Sequence, residues 1–141
     1  MRCKPLKLKK GIRVGTDIIE IERIRNAAKR HPGFFDRILT ADEKKYCLAK
    51  VDSCVPLAGR FAAKEAVMKC LQVGLERISW QDIAILADEV GSPQVHLTGA
   101  ARQLLRESGL GYIQVSISHS RDYAMAVAIG ECVADADNDR G

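Results

Sequence analysis

Two acidic residues, Asp17 and Glu65, draw notice through the residue types around them. Asp17 closes Ile12-Arg13-Val14-Gly15-Thr16-Asp17, whose alternation of apolar and other residues has the period of a strand. Glu65 lies in Gly59-Arg60-Phe61-Ala62-Ala63-Lys64-Glu65-Ala66-Val67-Met68-Lys69, where Arg60, Lys64, Glu65 and Lys69 fall within ten positions. Paired in space, the two carboxylates would supply two hard oxygen ligands. That suits Mg²⁺, which takes one or two carboxylates and fills its other positions with water and substrate phosphates. A third group, Ser116-Ile117-Ser118-His119-Ser120, combines hydroxyls, an imidazole and turn amides, a polar set suited to phosphate.

Each feature also has a plainer reading. Residues four apart on a helix are neighbours, so Glu65 and Lys69, and Arg60 and Lys64, could be side chains of an ordinary solvated helix. That reading explains Lys69 poorly, because Lys69 shares a stripe with Ala62, Ala66 and Val73. Asp17 could be only a helix N-cap. The Ser/His cluster could be a hairpin turn whose serines bond nearby backbone. A serine-hydrolase triad is not indicated, since the chain has no G-x-S-x-G.

The elements that must position these residues read as one α+β unit. The strand ending at Asp17 gives way at Ile18 to helical spacing that runs to Arg30, with Ile21, Ile24 and Ala28 on one face and Arg23, Asn26 and Arg30 on another. His31-Pro32-Gly33 stops it. Thr40 and Glu43 fit a capping box, which opens a helix to about Lys50. Pro56 opens the main helix, 56–73, with Gly74 as its end signal. Ile78 to Ala87 reads as a strand, Val90-Gly91-Ser92-Pro93 as a turn and Gln94 to Leu97 as a second strand. Thr98 caps a short helix through Leu105, closed by Gly109. A strand from Tyr112 ends at Ser118-His119-Ser120, and Arg121-Asp122 turns it into a last strand, Tyr123 to Ile129.

Composition narrows the function classes. The chain has 141 residues, 47% hydrophobic and 28% charged, which is one ordinary globular domain and not a disordered chain. No apolar run approaches the roughly 20 residues of a membrane span. Residues 1–10 hold five cations and no acid, and the end of the chain is acidic, so the body is only mildly basic. That argues against a general nucleic-acid binder. We read 1–11 as a basic N-terminal extension, 11–131 as the domain and 132–141 as an acidic, disordered tail. The five cysteines include no C-x-x-C and imply reduced thiols in the cytoplasm.

Taken together, Gly15-Thr16-Asp17-Ile18-Ile19-Glu20-Ile21, Arg37-Ile38-Leu39-Thr40 with Glu43, Gly59 to Ala66 with Lys69, and Ser118-His119-Ser120 give the chain a family resemblance. It resembles the holo-[acyl-carrier-protein] synthases, the small trimeric type of 4′-phosphopantetheinyl transferase, over about residues 11–131. The resemblance implies a mainly antiparallel sheet packed against a long central helix. It implies Mg²⁺-dependent transfer of 4′-phosphopantetheine from coenzyme A to a serine hydroxyl of an apo acyl carrier protein, releasing adenosine 3′,5′-bisphosphate, in fatty-acid biosynthesis or a related pathway. By similarity Asp17 and Glu65 hold the metal, Glu65 or a water it orients takes the serine proton, and Lys69 neutralises phosphate charge. Arg60, Lys64, Ser118, His119 and Ser120 would contact coenzyme A, and Phe61 would pack near its nucleotide. Arg23, Asn26 and Arg30 would dock the acidic carrier, and a homotrimer would place sites between protomers. The alternative is a coenzyme A or nucleotide binder without turnover. The sequence departs from the family at Cys70-Leu71-Gln72-Val73-Gly74, where a Gly-Thr-Gly type of turn is usual.

Overall fold

The computed structural model describes residues 11–133. The basic extension and the acidic tail of the sequence reading lie outside the described residues, apart from Gly11, Cys132 and Val133. Three strands form one antiparallel sheet in the order β1-β5-β4: β1 is Ile12–Glu20, β4 Leu110–His119 and β5 Tyr123–Cys132. A separate hairpin pairs β2, Ile83–Ala87, with β3, Pro93–Leu97. Five helices complete the α+β architecture: α1 Ile21–Arg30, α2 Phe34–Ile38, α3 Ala41–Leu48, α4 Cys54–Leu71 and α5 Gly99–Ser108.

Helix α4 lies against one face of the larger sheet, and small residues let it approach closely. The inward positions of the central strand β5 are Ala124, Ala126 and Ala128, all fully buried, followed by Gly130. The helix answers with Ala58, Ala62, Ala63 and Ala66, also fully buried. Gly15 of β1 sits directly under the helix, where a methyl group would collide with the Ala66 carbonyl. At the other end, a methyl on Gly59 would come within 3.0 Å of Ile117. Larger apolar residues, Leu57, Val67 and Leu71 of α4 with Ile83 and Ile85 of β2, fill the helix side of the core.

Helix α1 buries Ile21 and Ile24 and leaves Arg23, Asn26 and Arg30 exposed, as its spacing anticipated. Burying one such isoleucine contributes about 1.5–3 kcal/mol. Thr40 and Glu43 form the capping box of α3, with reciprocal bonds of 2.8 and 3.3 Å.

Several boundaries differ from the sequence reading. β1 continues to Glu20, because Ile18, Ile19 and Glu20 pair with Met125, Ala124 and Tyr123; Asp17 is therefore a strand residue opposite Ala126 and caps no helix. Segment 78–82 is not strand: Trp80–Asp82 forms a 3₁₀ turn capped by Ser79 before β2 begins. α4 starts at Cys54 rather than Pro56 and ends before Gln72, which adopts the left-handed conformation at φ 58° that Gly74 was expected to supply further on. Helix α5 runs to Ser108, and Thr98 makes no side-chain cap. The last strand reaches Cys132, so the folded body extends one residue into the segment read as tail.

Candidate active site

The close seam between β1 and α4 brings Asp17 and Glu65 together. Asp17 lies on the helix-facing side of β1, and Glu65 is the residue before Ala66, the contact over Gly15. Both acids are half-buried. Desolvation pushes the Asp17 carboxyl above its ordinary value, against the opposing pull of Lys69. Burial raises Glu65 as well, and the negative charge of Asp17 adds to that rise. Two carboxylates that repel each other's ionisation in one half-dry place have an unmet need for a cation. Lys69 meets part of it: its Nζ donates to the Thr16 carbonyl at 2.8 Å and stands 3.7 Å from Asp17 Oδ1.

This donor set fits Mg²⁺. Among the described residues no group of three or more His, Cys, Asp or Glu side chains could hold a metal, so a closed protein cage is excluded there. Two carboxylates with the remaining positions open to water and phosphate are what that ion accepts.

Further along α4, toward its N-terminus, a cavity of about 410 Å³ opens between the helix and β4. Tyr46, Lys50, Asp52, Arg60, Ile117 and His119 are among its lining residues. Arg60 is buried, with its guanidinium 4.1 Å over the Tyr46 ring, which fixes the plane of the cation while leaving donors for an anion. A larger, shallower depression of about 970 Å³ beside α3 includes Lys44, Lys45 and Gln81; neither it nor the 410 Å³ cavity is lined by Asp17 or Glu65.

Four residues of the sequence reading are placed elsewhere. Lys64 does not reach the cavity. It is fully buried one turn along α4 from Arg60, where its Nζ donates to Glu43 Oε1 and the Ile38 carbonyl, both at 2.6 Å, and to the Trp80 carbonyl at 3.2 Å. Glu43 completes this hub, accepting from the backbone N–H of Thr40 and of Ile85. Phe61 packs on Trp80, ring centroids 5.1 Å apart, and is not among the cavity's lining residues. Ser118 pairs with Met125 on the outer face of the sheet, the opposite side from His119, because successive strand residues alternate. Ser120 belongs to the β4–β5 turn: its N–H donates to the Tyr123 carbonyl and its hydroxyl accepts from the Tyr123 N–H.

The three residues expected to dock the carrier are brought together. Arg23, Asn26 and Arg30 share an open recess of about 420 Å³ on the exposed side of α1 with Glu20, Glu22 and His31. Sequence reasoning missed Tyr46, Lys50 and Asp52, which only the fold sets around Arg60. Nothing in their spacing marks them.

Comparison with known proteins decides the family. A model described as the 4′-phosphopantetheinyl transferase superfamily matches residues 13–128. The chain belongs to that superfamily. Within it the chain stands beside the holo-[acyl-carrier-protein] synthases. The one from Moorella thermoacetica is 52% identical over 120 residues, covering 85% of this chain and 94% of that protein. Among solved structures, the holo-[acyl-carrier-protein] synthase of Neisseria meningitidis superposes with a TM-score of 0.78 at 32% identity, covering 84% of this chain and 97% of that one. The Helicobacter pylori enzyme in complex with coenzyme A superposes at 0.73 with 33% identity, covering 83% and 98%. The superfamily's transferase fold is thus the fold of this chain.

Proposed function

We propose that this chain transfers 4′-phosphopantetheine from coenzyme A to a serine hydroxyl of an apo acyl carrier protein, releasing adenosine 3′,5′-bisphosphate. The observation that carries the reading is the Asp17–Glu65–Lys69 cluster at the β1–α4 seam, with a cavity walled by Arg60 and His119 further along the same helix. The named activity of its close relatives supports the same conclusion.

The residues divide the work. Arg60 and His119 orient coenzyme A through its phosphates, and Lys50 adds charge at the cavity edge. Lys69, fixed by the Thr16 carbonyl, neutralises charge that builds on the leaving phosphate. Glu65, or a water it orients, accepts the serine proton. Asp17 and Glu65 would hold Mg²⁺, which when bound supplies charge neutralisation to the diphosphate. Arg23, Asn26 and Arg30 dock the acidic carrier.

A homotrimer is part of the proposal. The outer face of the β1-β5-β4 sheet exposes Ile12, Val14, Ile18, Met125 and Ile129, side by side through the strand register. A contiguous apolar sheet face of this kind marks a protein interface. Ser118 lies on that same face and would reach a neighbouring protomer's site rather than its own. We place the enzyme in the cytoplasm, in fatty-acid biosynthesis. Its Cys47, Cys54 and Cys70 are free thiols, and no described helix is long and apolar enough to cross a membrane.

The direct test is incubation with an apo carrier protein, coenzyme A and Mg²⁺, followed by mass spectrometry of the carrier. One added phosphopantetheinyl group, lost on chelation of the metal, is expected. Coenzyme A binding without any mass gain would instead identify a non-catalytic binder.

A further inference from the structure

Helix α1 presents Arg23, Asn26 and Arg30 to solvent but turns one further arginine toward α4. Arg25 Nη1 donates to Asp52 Oδ1 at 3.0 Å and Nη2 to Oδ2 at 2.8 Å, a two-pronged pair across 27 residues of chain. Its Nε also donates to Glu22 at 3.2 Å. Asp52 has two other engagements. Its Oδ1 accepts the backbone N–H of Cys54, the first residue of α4, at 3.1 Å. It also stands in the wall of the cavity with Lys50, Arg60 and His119.

A carboxylate is a poor neighbour for phosphates. Left ionised and alone, Asp52 would repel a nucleotide entering beside Lys50 and Arg60. The paired guanidinium cancels that charge, and its bonds lower the carboxyl's pKa, so Asp52 is ionised and compensated at neutral pH. The bidentate geometry also fixes where the first turn of α4 sits relative to α1. Simple surface pairs contribute little to stability, and bidentate Arg–carboxylate geometry is the exception.

We propose that Arg25 is a positioning residue of the nucleotide pocket: through Asp52 it removes an opposing charge from the pocket wall and ties the carrier-docking helix to the helix that bears the reacting groups. The inference rests on reading that cavity as the coenzyme A phosphate site. Arg25 touches neither substrate.

The experiment is calorimetric titration of adenosine 3′,5′-bisphosphate into wild type, Arg25→Ala, Arg25→Lys and the double variant Arg25→Ala/Asp52→Asn, with KM for coenzyme A and for carrier measured alongside. Arg25→Ala should weaken binding on the order of tenfold, the effect of one uncompensated, partly exposed charge beside the phosphates, and the loss should shrink at high salt. The double variant should recover most of the affinity, and Arg25→Lys should retain most of it. KM for coenzyme A should rise in step in Arg25→Ala, and KM for carrier should change less. Equal weakening in the single and double variants would overturn the proposal, since the loss would then run through the fold. Unchanged nucleotide binding with a raised carrier KM would also overturn it and make Arg25 a docking residue. Failure of wild type to bind the bisphosphate would sink the pocket reading itself, and this inference with it.

Discussion

Lys64 Nζ lies 2.6 Å from Glu43 Oε1, and neither side chain is exposed to solvent. The pair locks α4 to α3 and, through the Ile38, Trp80 and Ile85 backbone, to α2, the 3₁₀ turn and β2. A buried ion pair is costly to break because the survivor keeps its charge without water. Lys64→Met and Glu43→Gln should each lower stability by about 3–5 kcal/mol in urea melts. The double variant Lys64→Met/Glu43→Gln should cost less than the two single losses added. Strict additivity would mean that the two groups do not act as a pair.

Glu65→Gln should lower carrier modification by at least about 100-fold, as expected when a general base is lost. The fold should persist. The Glu65 pKa is raised in the folded protein, so its ionisation opposes folding progressively as pH rises from the unfolded value through the folded one. The amide removes that opposition, and the variant should melt at the same temperature as wild type or higher at pH 7. Near-normal turnover would remove Glu65 from the chemistry.

Arg23→Glu reverses a charge in the α1 recess without touching α4. KM for an acidic carrier should rise about tenfold, and the effect should fade with salt because exposed charges are screened. Coenzyme A affinity should hold. An equal loss of both would place Arg23 in the nucleotide site.

The Arg25–Asp52 pair predicts a pH signature. The Asp52 pKa is lowered by the bonds from Arg25. A depressed carboxyl contributes stability above its unfolded value of about 3.9, and that contribution drains away as pH falls through the folded value. Thermal melts should therefore show wild type above Asp52→Asn at pH 7, with the gap closing below about pH 4. A gap that stayed constant down to pH 2 would mean that hydrogen-bond shape, not charge, holds the contact.

Arg13 is 7% exposed on the helix-facing side of β1, and its Nε, Nη1 and Nη2 have no hydrogen-bond partner among the described residues. An unsatisfied buried polar group costs about 1–3 kcal/mol. Arg13→Met keeps much of the stem and drops the guanidinium, so it should raise the melting temperature. A lower melting temperature would show that the guanidinium has an anion to hold in solution.

What the sequence disclosed was mostly local. The alternation through Asp17, the Thr40–Glu43 box and the Ile21/Ile24 face of α1 are short-range signals, and each appears in the structure. The end of β1 was misread because Ile18, Ile21 and Ile24 also have helical spacing; pairing with β5 decided between two compatible patterns. Lys64 was misread for a related reason. Helical periodicity says which residues share a stripe but not what covers it, and Glu43 is 21 residues away. Ser118 and His119, adjacent in the chain, part company because a strand sends them to opposite sides. The surroundings of Arg60 come from three separate segments and leave no pattern in the sequence.

Gly15 precedes Asp17 by two residues and lies against Ala66, the neighbour of Glu65. The separation of the two acids is therefore governed by how near bare main chain can come to bare main chain. A fault in the wall of the cavity around Arg60 could be mended by exchanging one side chain for another. A single methyl at Gly15 has no such remedy: it would wedge the strand off the helix and carry both oxygen donors apart at once, so the tolerance of the whole reaction centre is vested in a residue that never meets a substrate.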